Sequence, residues 1–278
     1  MFNKAAHIRE KYLEMNMYPS IFCTGCGIGN VLNYSLRALD AEKVDLDRTV
    51  FVSGIGCSSR LPGYIDADGL HTTHGRALAF ATGVKTADPD LTVVIFTGDG
   101  DAAGIGGNHL IHAARRNVDL TVICVNNFNY GMTGGQVSPT SPVTAKTTTT
   151  PYGNVELPFD LCDLVMGAGA TYVARWTLGY PYETVKAVRK ALQNKGFSFV
   201  EMLVPCPTGY QKRQKIPDGR ETWDWYKEMT ITRREYLKLS KEDRRAETRI
   251  VIGTLRDRER PEFTATYAEL VERLNKGR

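Results

Sequence analysis

The sequence predicts an α/β protein, a doubly wound parallel sheet with helices on both faces. Three observations carry this. Short apolar, β-branched runs recur through the first 210 residues, helix-patterned segments separate them, and glycine-rich breaks fall at the ends of the runs. Taken in order, Val31, Leu32, Leu36 and Leu39 repeat at helical spacing and give a helix over 29–39. The run TVFVS gives a strand over 49–53, and the alanine-rich stretch after it a helix over 75–85. A strand over 91–96, a helix over 108–116 and a strand over 120–125 form one crossover unit. Helix 159–166, strand 170–174, helix 183–193 and strand 198–204 complete the pattern. The Thr/Pro/Ser-rich segment 138–151 has neither period, and a loop of that length is often functional.

Composition bounds the class. A chain of 278 residues, 42% hydrophobic and 24% charged, suits a soluble protein with one large domain. No apolar run reaches membrane-spanning length and the first residues lack a signal-peptide core, so a cytoplasmic location is expected. A net charge of +4 makes no case for nucleic acid. The positive balance sits in the last 68 residues, which hold 18 basic and 13 acidic side chains against 17 and 18 before them. Two regions are therefore expected: a folded domain over 1–210 and a charged extension over 211–278. The extension keeps Trp223, Trp225, Tyr226, Tyr236, Phe263 and Tyr267, so it is expected to dock, either as a solvated helical appendage or on a partner subunit.

The crossover unit 97–136 carries the chemistry. Its strands should end side by side at the carboxyl edge of the sheet, presenting Asp99 and Asn127 there. One carboxylate oxygen, one amide oxygen and a nearby carbonyl suit a hard divalent cation such as Mg²⁺, which shares its ligands with substrate phosphates. The glycines at 98, 100, 104, 106 and 107 open the backbone to phosphate at a helix start. A glycine-rich strand-to-helix turn alone is common. Gly98-Asp99-Gly100 followed one crossover later by Asn126-Asn127 is more specific, and resembles the motif that binds thiamine diphosphate.

Six cysteines in a cytoplasmic chain point to metal ligands or buried apolar side chains rather than disulfides. Cys124 and Cys162 lie inside apolar patterns and read as core. Cys23 and Cys26 form a C-x-x-C, while Cys57 and Cys206 each follow a strand end. All four sit at glycine- or proline-freed loop edges. Spacing alone leaves Zn²⁺ and an iron–sulfur cluster equally open.

Together, CTGCG, GIGCSSR, HTTHGRA, GDGDAAGIGGNH, NNFNYGMTGGQ and PCPTG resemble the β subunits of the 2-oxoacid:ferredoxin oxidoreductases over residues 18–209, most closely the 2-oxoglutarate-acting branch. Phe22 stands where that family commonly has Trp. The resemblance implies that Cys23, Cys26, Cys57 and Cys206 hold a [4Fe–4S] cluster, and that Asp99, Asn127 and the Asn129 carbonyl hold Mg²⁺. It implies thiamine diphosphate lying near Gly98, Gly100, Asp101 and Asn108, with Tyr130 and Thr133 against cofactor or substrate. Arg60 is expected either to pair with the substrate carboxylate or to meet a local acid or phosphate. His74 either lines the site or makes a structural helix contact. His109 and His112 read as helix-surface residues rather than a metal pair. The implied reaction is oxidative decarboxylation of a 2-oxoacid with coenzyme A, or its reverse. Thiamine chemistry also needs a glutamate against the pyrimidine ring, for which this chain has no second domain. An α subunit is expected to supply it, with ferredoxin or a ferredoxin-like subunit accepting electrons.

Overall fold

The computed structural model describes residues 11–276. The first ten residues of the amino-terminal stretch read above for its lack of a signal core lie outside the described residues. The predicted layers are present. Helix α1 (Ile28–Ala41) leads to β1 (Thr49–Ser53) and β2 (Asp68–His71); α2 (Ala77–Ala87), β3 (Thr92–Gly98), α3 (Gly107–Arg116) and β4 (Leu120–Asn126) follow. Then come α4 (Leu161–Ala168), β5 (Tyr172–Thr177), α5 (Pro181–Gln193) and β6 (Phe197–Leu203). The last segment adds α6 (Arg220–Glu228), β7 (Thr230–Thr232), β8 (Ile250–Asp257) and α7 (Phe263–Lys276), with short helical turns between.

The eight strands run in the order β2-β1-β3-β4-β6-β5-β8-β7. Every pairing is parallel except β5 with β8. Strands β4 and β6 are buried at every position, which explains why apolar residues dominate both of their faces. Alternate strand residues feed two cores. On one face Phe51, Phe96, Ile123 and Val200 pack with α1 and α5; on the other Val52, Ile95, Val122 and Phe199 pack with α2, α3 and α4.

The charged segment after residue 210 does not stand off as an appendage. Strand β8 extends the sheet antiparallel from β5, and Tyr226, Ile231 and Ile252 are buried. A strand edge left open at β5 gives these apolar residues a surface to cover, which charge counting does not reveal. Strand β2 escaped prediction because its four residues are mostly exposed and carry no apolar pattern.

Candidate active site

Parallel register sets Gly98 opposite Val125, so β3 and β4 release Asp99 and Asn127 next to one another. Both are buried and both line a cleft of about 300 Å³. Gly98, Gly100, Asp101, Asn129, Tyr130, Thr133, His74 and Cys57 line the same cleft. Asn108 does not: it is exposed on α3 outside the lining, because the irregular turn 101–105 separates the strand end from the helix.

Asp99 is the site's unbalanced charge. It is 2% exposed, and burial pushes its pKa up to about 6. Ser138 Oγ and Thr140 Oγ1 each donate to its Oδ2 at 2.6 Å, which favours the carboxylate but brings no positive charge. Among the described residues no cation reaches it. A desolvated carboxylate beside an amide oxygen, with a main-chain carbonyl two residues on, is a donor set that a divalent cation fits. Ser138 and Thr140 escaped the sequence reading; their one signal was the hydroxyl-rich loop after Gln136, whose first residues are buried against Asp99.

The turn that follows β4 is strained and tightly held. Phe128 adopts φ +62°, a left-handed conformation costing a non-glycine residue about 1–3 kcal/mol. It is over-determined: Phe128 N donates to Asn126 Oδ1 at 3.1 Å, Ser141 Oγ donates to Phe128 O at 2.6 Å, and the ring packs on Tyr210. Asn126 is held in turn, its Nδ2 donating to Glu201 Oε1 at 2.7 Å. Glu201 is 1% exposed and also accepts from Arg175 and Cys162. A charge inside the apolar run FSFVEML was the available clue to it.

Asp101 serves as a clasp. Its Oδ1 accepts from Gly75 N at 2.7 Å and Ile55 N at 3.1 Å, and its Oδ2 from Thr97 Oγ1 at 2.7 Å. Two loops and the end of β3 are thereby gathered at one carboxylate. His74 Nδ1 lies 2.8 Å from Asp101 Oδ1 but off the line of a hydrogen bond, and the ring meets Tyr130 edge-on. Gly100 is required by this packing rather than by phosphate approach alone: a Cβ there would overlap the Tyr130 ring.

The cysteine loops assemble beside the cleft. Cys26 N donates to Cys23 O at 3.0 Å, Gly27 N to Pro205 O at 3.4 Å, and Cys23 Sγ lies 3.7 Å from Thr208 Oγ1. Burial pushes the Cys26 thiol up to about 11, with Cys206, Cys57 and Cys23 adding to the rise. Cys57 is raised by burial and then by Cys206 and Cys23. The four thiols thus share one neighbourhood, although among the described residues no three or more His, Cys, Asp or Glu side chains close into a metal-ligand set. Neighbouring thiols are a donor set that bound metal would stabilise as thiolates. Cys124 and Cys162 are fully buried in the core behind α3 and α4.

Arg60 is exposed one turn from Cys57, near enough to favour that thiolate. It makes no ion pair among the described residues and does not line the cleft, so the local-acid alternative is not realised. His112 is exposed and accepts from Arg115, and His109 is half-buried on the same helix.

Comparison with known proteins agrees with this geometry. The model of the thiamine pyrophosphate enzyme C-terminal TPP-binding domain matches residues 54–202. The 2-oxoglutarate synthase subunit KorB of Methanothermobacter marburgensis is 52% identical over 94% of this chain and 91% of its own length. The 2-oxoacid:ferredoxin oxidoreductase subunit beta of Saccharolobus solfataricus is 42% identical over 73% of this chain and 70% of its own. The solved 2-oxoglutarate:ferredoxin oxidoreductase from Magnetococcus marinus, with 2-oxoglutarate, coenzyme A and succinyl-CoA bound, superposes with a TM-score of 0.85 at 33% identity, covering 99% of this chain and 93% of that one. With its cleft, its Asp–Asn pair and these relatives in view, the chain belongs to the β subunits of the 2-oxoacid:ferredoxin oxidoreductases, within the thiamine pyrophosphate enzymes.

Proposed function

We propose that the chain is the thiamine-diphosphate-binding subunit of an enzyme that converts 2-oxoglutarate and coenzyme A to succinyl-CoA and CO₂, or runs the reverse carboxylation. The observation that supports it most is the buried Asp99–Asn127 pair lining one cleft together with Cys57, one of the four candidate thiols. Asp99, Asn127 and the Asn129 carbonyl would hold Mg²⁺, with Gly98, Gly100 and Asp101 against the diphosphate. When bound, thiamine diphosphate supplies a thiazolium carbon nucleophile and a ring that stores the electrons released with CO₂. Cys23, Cys26, Cys57 and Cys206 would hold a [4Fe–4S] cluster at the rim, where a one-electron carrier is needed.

The chain's own residues orient the reactants. The Asp101 clasp fixes the loops bearing His74 and Ile55, so the cleft wall is preorganised. Tyr130 and Thr133 close the other wall. Arg60, exposed, without an ion pair among the described residues and three residues from the cleft-lining Cys57, would reach the distal carboxylate of the substrate from outside the cleft lining. An α subunit would supply the pyrimidine-side glutamate and complete the cleft. The charged face after residue 210 would dock that subunit, ferredoxin or a ferredoxin-like subunit would take the electrons, and the assembly would work in the cytoplasm. Among the described residues no helix is long and apolar enough to cross a membrane.

The test is viologen reduction by the co-expressed α/β pair with coenzyme A and 2-oxoglutarate, pyruvate or 2-oxoisovalerate. Reduction is expected with 2-oxoglutarate. Activity with pyruvate alone contradicts the substrate, and product formation with no electron acceptor contradicts the redox reading.

A further inference from the structure

The site described so far uses Asn129 only through its main-chain carbonyl and leaves the side chain unassigned. That side chain is buried, at 3% exposure. Its Nδ2 donates to the Asn127 carbonyl at 2.8 Å and lies 3.4 Å from Asn127 Oδ1. Its Oδ1 faces Cys206 Sγ at 3.9 Å. Two glycines make room for it. A Cβ on Gly209 would overlap Asn129 Oδ1 and come within 3.0 Å of Cys206 Sγ, and one on Gly131 would meet that sulfur at 3.4 Å. One amide therefore touches both the metal turn and the cysteine loop. Phe128, Cys206, Tyr210 and Tyr226 share a core beside it, so water screens its dipole little.

We propose that the Asn129 side chain bridges the two cofactor sites as a positioning residue: its Nδ2 end steers the Asn127 oxygen, and its Oδ1 end sets the reduction potential of the iron–sulfur group held by Cys206. The inference rests on the four-cysteine reading above. A thiolate bound to iron has no proton to donate, so Oδ1 turns the negative end of the amide dipole toward the sulfur. An added electron is disfavoured there, and the potential is lowered.

The experiment compares wild type, Asn129→Leu and Asn129→Asp in the anaerobically co-purified α/β complex. It reads iron content, the EPR-monitored reduction midpoint, and the Mg²⁺ concentration needed to retain thiamine diphosphate. Asn129→Leu removes the dipole and is expected to favour the reduced form about tenfold at fixed potential, about 59 mV upward for one electron. Asn129→Asp adds negative charge and is expected to move the midpoint the opposite way. Both are expected to need more Mg²⁺. Midpoints that stay put, or move in the same direction in both variants, with iron retained, overturn the bridge. Wild-type complex without iron instead overturns the cluster reading on which the bridge stands.

Discussion

Lowering the pH from 7 to 5 should weaken Mg²⁺ binding by about tenfold, through Asp99 alone. The cation needs the carboxylate, and the folded protein holds that group's pKa near 6 instead of 3.8 because burial strips its hydration. Protonation at a pKa of 6 competes by a factor of about 11 at pH 5 and about 1.1 at pH 7; an ordinary carboxyl of pKa 3.8 would compete by less than about 1.1 at either. The same shift has a sign for stability. The folded form binds the proton more tightly than the unfolded chain, so the burden of the buried charge is absent below about pH 4 and complete above about pH 6. The shift of roughly two units corresponds to about 3 kcal/mol at neutral pH. Asp99→Asn should therefore raise the unfolding midpoint of the cofactor-free complex at pH 7 while abolishing Mg²⁺ binding. The assay is calorimetric titration of Mg²⁺ into the apo α/β complex with saturating thiamine diphosphate at half-unit pH steps. A flat affinity between pH 5 and 7 would refute the reasoning.

Three further perturbations follow from the same contacts. Thr140→Ala removes a 2.6 Å hydrogen bond that favours the Asp99 carboxylate, and should move the midpoint of that Mg²⁺ profile up by about one pH unit; an unmoved midpoint counts against the Asp99 assignment. Asp101→Ala strands the Gly75 and Ile55 N–H groups at about 1–3 kcal/mol each and loosens the His74 loop. Steady-state kinetics should show KM for the 2-oxoacid rising, with Mg²⁺ affinity nearly unchanged. Glu201→Leu leaves the buried Arg175 guanidinium with Asp160 as its one remaining acid partner among the described residues. It should destabilise by about 3–5 kcal/mol in thermal unfolding, whereas Glu201→Gln, which still accepts a hydrogen bond, should lose less.

The sequence carried the sheet because both faces of β3, β4 and β6 are covered, so apolar residues dominate both faces, with Glu201 the one charge among them. It missed β8 because Gly253 and the charges of Arg256 and Asp257 break up what is half an edge strand. The Asp99–Asn127 pair was readable because the chemistry it is proposed for fixes residue types at fixed spacing. What escaped was the support: Ser138, Thr140 and Glu201 act through contacts made 26 to 75 residues away along the chain or in the loop after the motif, and no local pattern encodes those. A direct strand-to-helix turn would bring Asn108 to the diphosphate; the irregular backbone at Gly104, with ψ −109°, leaves it outside the cleft lining.

Metal analysis with EPR of the anaerobic, dithionite-reduced complex tests the convergence of the four cysteines most directly. Four irons per β chain, no zinc, and a reduced-cluster signal lost in Cys57→Ala and Cys206→Ala but kept in Cys124→Ala are expected. Stoichiometric zinc, or iron indifferent to Cys57 and Cys206, would contradict it.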